Sequence, residues 1–229
     1  MDFYSTFSNT GVFNLPSGVI TFIYNNANYP AGTFNWTGGI FRLNTGVTMT
    51  LSSPVTIPGG GDFKILGGTL INNSTLTNNG SFTSSSSGTL TNNSILINNG
   101  TISSAIAFSN NGTLKGTGIN QGMFINPVGS VFSPGLSPGC YTLSGGFSNL
   151  GTLAIDINGT NFCSQYDRVL SAGTTMKSGT LALTFGFYPT AGQTFQIITS
   201  PFFSGTFSTI TVTPNNIEVT ENNGIVTVT

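Results

Sequence analysis

Residues 67–120 read GGTLINNSTLTNNGSFTSSSSGTLTNNSILINNGTISSAIAFSNNGTLKGTGIN, and this stretch decides the fold. An apolar residue opens each unit at Leu70, Leu76, Phe82, Leu90, Leu96, Ile102, Phe108 and Leu114. The step is six residues, broken once by a two-residue slip at Ser87-Gly88. Polar residues follow each apolar one, often an Asn-Asn pair and then Gly or Ser. Short self-similar units of this kind predict a β-solenoid, in which each turn of chain buries its apolar side chains only by stacking on the next.

A longer period overlies the hexad. Gly-Thr-Leu recurs at Gly68-Thr69-Leu70, Gly88-Thr89-Leu90 and Gly112-Thr113-Leu114, the second interval a little longer than the first. Three hexads and a corner make one rung, so the expectation is rungs of about 20 residues, one of them with a small insertion. Leu70, Leu90 and Leu114 then share one interior column. Asn72-Asn73 fall near Asn92-Asn93, and Asn78-Asn79 near Asn98-Asn99. Asn tolerates the left-handed backbone of sharp corners. Its amide can also hydrogen-bond to the amide of the next rung. The expected fold is all-β: a single-stranded parallel, right-handed β-helix with β-rich caps at both ends.

Composition agrees. Of 229 residues only 5% are charged, none is His, 38% are hydrophobic and 31 are Gly. Gly, Thr, Ser and Asn suit turns and strands and disfavour helix interiors. Arg42, Lys64, Lys115, Arg168 and Lys177 are scattered, which excludes the clustered basic surface that a nucleic-acid partner needs. No membrane-spanning run is visible. The start, MDFYSTFSNTG, lacks a basic region followed by an apolar one. A secreted protein is then expected here as its mature part with Met1 added, or as an internal module of a longer chain.

The chain divides softly into residues 1–66, 67–130 and 131–229. The first part carries longer strands and dense aromatics, expected to cap the solenoid. The second is the regular hexad. The third returns to clean alternation, as in Thr152-Leu153-Ala154-Ile155-Asp156-Ile157. Cys140 and Cys163 flank strand-like segments and stand one rung plus a turn apart. Either they form a disulfide between adjacent layers, stabilising by about 3 kcal/mol and pointing to an oxidising compartment, or they are two buried thiols.

The stretch Ser133-Pro134-Gly135-Leu136-Ser137-Pro138-Gly139 resembles the SPGxSPG corner of large bacterial surface proteins, the autotransporter-passenger-like and β-strand-repeat adhesins. The likeness continues through residues 151–160, Gln165-Tyr166-Asp167-Arg168-Val169, Ser178-Gly179-Thr180-Leu181 and residues 189–198, and covers about residues 65–210. It implies a right-handed parallel β-helix in a secreted protein and leaves activity unspecified. The Cys140–Cys163 pair is similar to a variant seen in some secreted proteins with this block. Independently of the resemblance, Pro fixes φ and Gly supplies the positive φ of a type II turn. Two such turns redirect the chain, a junction between regular rungs and a terminal cap.

Several chemistries compete for the polar residues. Asp156 and Asp167 offer oxygens for a calcium ion, or Asp167 caps the corner backbone or pairs with Arg168. Glu218 and Glu221, near the C-terminal edge, read as solvated or edge-protecting charges. The six acids include no pair at rung spacing, and without His no Ser-His-Asp or Cys-His site can form. No catalytic residue, cofactor site or metal site is therefore assigned. Tyr24, Tyr29, Phe34 and Trp36 form a candidate ligand platform for sugar rings, or else pack the cap. Thr69, Thr89 and Thr113, in register, would make an ice-binding array. The expectation is a non-catalytic extracellular structural or adhesive module: a rigid segment of a bacterial surface adhesin or self-assembling fibre. Its partners would be further copies, joined through open ends or terminal strands, and a glycan or host-surface ligand.

Overall fold

The computed structural model describes residues 2–3, 12–22, 27–28, 33–84, 88–103 and 105–229. The described residues form short strands and turns, with no helix. Outside one C-terminal antiparallel sheet, the strands stack in parallel sheets, pairing with strands one rung before or after, as in a parallel β-solenoid. The chain divides into two compact units, Met1–Gly112 and Thr113–Thr229.

In the first unit a rung is three-sided. Strand Thr69–Asn72 pairs with Gly88–Asn92, Thr75–Asn78 with Ile95–Asn98, and Ser81–Thr83 with Thr101–Ile102. All three sides advance by the same expected rung, Thr69 lying on Thr89, Thr75 on Ile95 and Ser81 on Thr101. Inward positions fall in columns: Met49, Leu70, Leu90 and Phe108; Val55, Leu76 and Leu96; Phe41, Phe63, Phe82 and Ile102. The aromatic column packs ring against ring, with centroids 4.9 Å apart for Phe41–Phe63 and 5.5 Å for Phe63–Phe82. Stacking already includes Gly39–Leu43 and Gly61–Ile65, so the rungs run through residue 66 without a break.

Leu114 does not join the Leu70–Leu90 column. Its place is taken by Phe108, and Leu114 pairs with Phe132 in the second unit. The cause is rung length. The slip at Ser87-Gly88 lengthens one rung, which carries Asn72 onto Asn92. The next rung has three hexads and no slip, so it closes sooner and carries Asn92 onto Asn110. Matching Gly-Thr-Leu copies by identity picks the wrong member; counting residues per rung picks the right one. The same shift breaks the Thr array: Thr69 and Thr89 are in register, Ala107 follows them, and Thr113 lies against Val131.

The Asn pairs stack as expected but not through their backbone. Positive φ among described non-Gly residues occurs at Ser137, Cys163 and Asn223, and not at these pairs. Their amides build the corners instead. The inner Asn of each pair is fully buried, and Asn72 Nδ2 donates to Asn92 Oδ1 at 2.7 Å. Asn92 Nδ2 donates to Asn110 Oδ1 at 2.8 Å, and Asn78 Nδ2 to Asn98 Oδ1 at 2.6 Å. The oxygens of Asn72 and Asn78 also accept the N–H two residues on, closing an Asx turn at each corner. The outer residues form exposed ladders of opposite sense, Asn93 donating to Asn73 and Asn111 to Asn93. Gly sits where rungs approach most closely: a Cβ on Gly100 would strike the Gly80 carbonyl, and one on Gly80 the Gly61 carbonyl.

The second unit keeps three sides, and its later rungs are longer. From Thr152 onward, Thr152 pairs with Thr180 and Thr180 with Thr209, so more chain separates successive partners than in the first unit. The extra length lies in loops such as residues 158–167, outside the stacked strands. At its C-terminal end the interior column runs out. Ile210 and Val212 continue the column of Leu181 and Leu183, yet Ile210 is 37% exposed. The chain then turns into an antiparallel hairpin, Val219–Asn222 and Ile225–Val228, which pairs with Thr194–Gln196 and buries Phe195, Ile217, Val226 and Val228.

Candidate functional site

The SPG stretch is a rung corner between strands Val131–Pro134 and Cys140–Leu143. Further rungs follow it, so it is not a junction with a terminal cap. Gly135 has the expected positive φ of 89°, but the second left-handed residue is Ser137 at 74°, not Gly139. Gly139 is needed for space instead, since a Cβ there would press on the Gly135 Cα. Gly135 and Gly116 exchange backbone hydrogen bonds at 2.6 and 2.9 Å, fastening the corner to the rung below.

Asp167 holds the corner from the rung above. It is fully buried, and its two oxygens accept the Gly139 N–H at 2.7 Å and the Asp156 N–H at 2.9 Å. One side chain thus ties the SPG turn to the strand Thr152–Ile157. Burial pushes its pKa up to about 7; the two N–H donors oppose the rise and the charge of Asp156 adds to it. Asp156 accepts the Ser137 hydroxyl at 2.6 Å. Both Asp167 oxygens are committed to backbone, which favours corner capping over a calcium site. Arg168 turns away from Asp167: it donates to Thr199 Oγ1 at 2.8 Å and Gln196 Oε1 at 2.6 Å, and its guanidinium lies 4.8 Å from the Phe162 ring centroid.

Cys140 and Cys163 are disulfide-bonded, with Cα atoms 4.7 Å apart. Cys140 begins the strand leaving the SPG corner, and Cys163 lies in the 158–167 loop that leads to Asp167. The bond therefore staples that loop to the same corner that Asp167 brackets.

Of the four aromatics of the candidate platform, Trp36 is the one whose side chain is described, and it faces the core. Tyr24 and Tyr29 lie outside the described residues. Phe34 falls in strand Thr33–Trp36, in register with Phe13. Trp36 is only 7% exposed, its ring 5.8 Å from Phe41 and 6.1 Å from Phe63. It extends the internal aromatic column and offers no open face to a sugar. Packing against two core rings outweighs exposure for so large an apolar surface.

Sequence reasoning missed one charged site. Lys177 and Glu221 form an ion pair at 2.8 and 3.0 Å, with side chains only 4% and 3% exposed. Lys177 follows Asn126 and Asn149 in register, so an ammonium occupies the next place in a column of buried amides. Glu221, expected to be a solvated edge charge, belongs to the C-terminal hairpin and also accepts the Gly224 N–H at 2.7 Å. Phe203 lies 5.4 Å and Phe207 6.0 Å from the Lys177 ammonium. The only signal was Lys177 itself, an inward position of a strand filled by a charge that demands a partner.

No protein-family profile matches the chain, and a search of the curated proteins finds no similar one.

Proposed function

We propose that this chain is a non-catalytic structural and adhesive module, a stiff β-solenoid segment of a secreted bacterial surface protein that associates end to end with further copies. The observation carrying the reading is the terminal strand Thr209–Thr213. It is the last strand of its sheet, its Thr residues are exposed, and Ile210 stands partly uncovered where the column ends. A charge-free, β-branched edge of this kind is a template for another chain's strand. The hexad region supports the same reading: its inward Leu, Phe and Asn side chains are used up in stacking. The disulfide suits an oxidising compartment.

The test is light scattering and negative-stain microscopy of the whole chain at rising concentration. Filaments or linear oligomers are expected, and Ile210→Lys should abolish them by blunting the edge. A protein that never forms linear assemblies, or one whose assemblies ignore Ile210→Lys, sinks end-to-end association.

A further inference from the structure

The second unit has a side face that end-to-end stacking leaves untouched. Strands Phe124–Asn126, Phe147–Asn149, Thr175–Lys177 and Phe203–Gly205 form one parallel sheet. Their middle residues are Ile125, Ser148, Met176 and Ser204, in register. Ile125 is 49% and Met176 48% exposed, while Ser148 between them is shaded to 7%. Just before the outer strands stand Met123, 59% exposed, and Phe202, 69% exposed. The adjoining corner adds Val128 at 84% and Leu150 at 44%.

These six side chains expose on the order of 600 Å² of apolar surface, at roughly 100 Å² each. Monomers seldom carry a larger patch, and one of this size is often functional. The face is also free of charge. Between Gly116 and Ile155 the sequence has no Asp, Glu, Lys or Arg. The charged residue on the four strands, Lys177, points inward to Glu221.

We propose that this face is a docking surface for a second copy of the chain, the two faces packing about a two-fold axis. Such an interface sets the same patch against itself, so it must be self-complementary. An uncharged apolar sheet meets that condition, because nothing on it repels its own image. The formal net charge of -1 adds almost no long-range repulsion between copies. Doubling the patch buries about 1,200 Å², the lower edge of the range for specific interfaces, so the dimer should be modest in affinity. A lipid surface is the weaker occupant: interfacial faces that bind membranes are ringed with Lys or Arg, and this one is not. The inference goes beyond end-to-end assembly and uses different residues, so either can fail alone.

The test is sedimentation velocity on the whole chain over a concentration series, with Ile125→Lys/Met176→Lys as the variant. A concentration-dependent dimer is expected for the parent. The variant should weaken it roughly 100-fold or more, since each change is felt twice across the axis. Circular dichroism and melting of the variant should match the parent, because both positions are half exposed. Mixing Ile125→Lys/Met176→Lys with Ile125→Glu/Met176→Glu should restore dimers, which a misfolded variant cannot do. Ile210→Lys should leave this dimer intact. A parent that stays monomeric throughout, or a dimer indifferent to the lysines, overturns the proposal. Flotation of a monomeric parent with neutral phosphatidylcholine vesicles, lost in the lysine variant, also overturns it and gives the face to lipid.

Discussion

Replacing Asn92 by Leu tests whether the inner amide ladder, rather than apolar stacking alone, fixes the corners. Leu keeps the branching of Asn, with a somewhat bulkier tip, and lacks its hydrogen bonds. The substitution deprives Asn72 of the acceptor it reaches at 2.7 Å, while the second Asn72 bond, to the Ile95 carbonyl at 2.9 Å, remains. It also removes the donors to Asn110 Oδ1 at 2.8 Å and to the Ser94 carbonyl at 3.3 Å. A buried donor left without a partner costs about 1–3 kcal/mol, and the other lost bonds add about 1 kcal/mol. The gain from burying the Leu side chain offsets part of this, leaving a net loss of about 2 kcal/mol. For a chain of this length that lowers Tm by about 4–8 °C. The exposed neighbour is the control: Asn93→Ala removes bonds that water replaces and should cost under about 0.5 kcal/mol. Thermal melting followed by circular dichroism gives the comparison. Hydrogen exchange should show faster opening of residues 70–110 and little change in the C-terminal hairpin, since rungs couple mainly to their neighbours. Equal losses for Asn92→Leu and Asn93→Ala would refute the reasoning and assign the corners to the Leu and Phe columns.

Two further outcomes follow from the second unit. Asp167 keeps its proton to about pH 7 in the folded chain, whereas an unfolded Asp loses it near 3.9. The folded state therefore binds more protons between those values. Stability should be fullest below about pH 4, fall by up to about 1.4 kcal/mol per unit as pH rises toward 7, and level off beyond. Melting from pH 4 to 8 should show this slope in the parent and lose it in Asp167→Asn; an unchanged slope would remove Asp167 as its source. For the buried ion pair, Lys177→Met alone strands Glu221 and should cost about 3–5 kcal/mol, releasing the hairpin to proteolysis. Lys177→Met with Glu221→Leu should recover most of the loss, and a double variant as weak as the single one would show that the pair is not a closed unit.

The parts of this fold legible in the sequence are those where repetition becomes register. Leu70 over Leu90 and Asn72 over Asn92 can be read because a rung of constant length maps equal residues onto equal places. Phe108 escapes such a reading because it takes the column position through rung length, without resembling the Leu residues it follows. The candidate site was legible only in part. Asp167 could be recognised as a corner cap from its type and neighbourhood, but its partners Gly139 and Asp156 are 28 and 11 residues away, and only the stacking brings them to one point. Trp36 is a large apolar ring whether exposed or buried, so composition could not choose; the adjoining Phe41 and Phe63 did.

Lys177 and Glu221 lie 44 residues apart, and no period in the chain joins them. The ladder explains why such a pair can exist there. Asn149 accepts from Asn126 across rungs and in turn donates to the Gly151 and Ser178 carbonyls, because an amide both accepts and donates. An ammonium donates only, so at Lys177 the column can end only on an acceptor from elsewhere, and the hairpin supplies the Glu221 carboxylate. The change from Asn to Lys in one column thus marks where the self-similar part of the solenoid stops and its C-terminal closure begins.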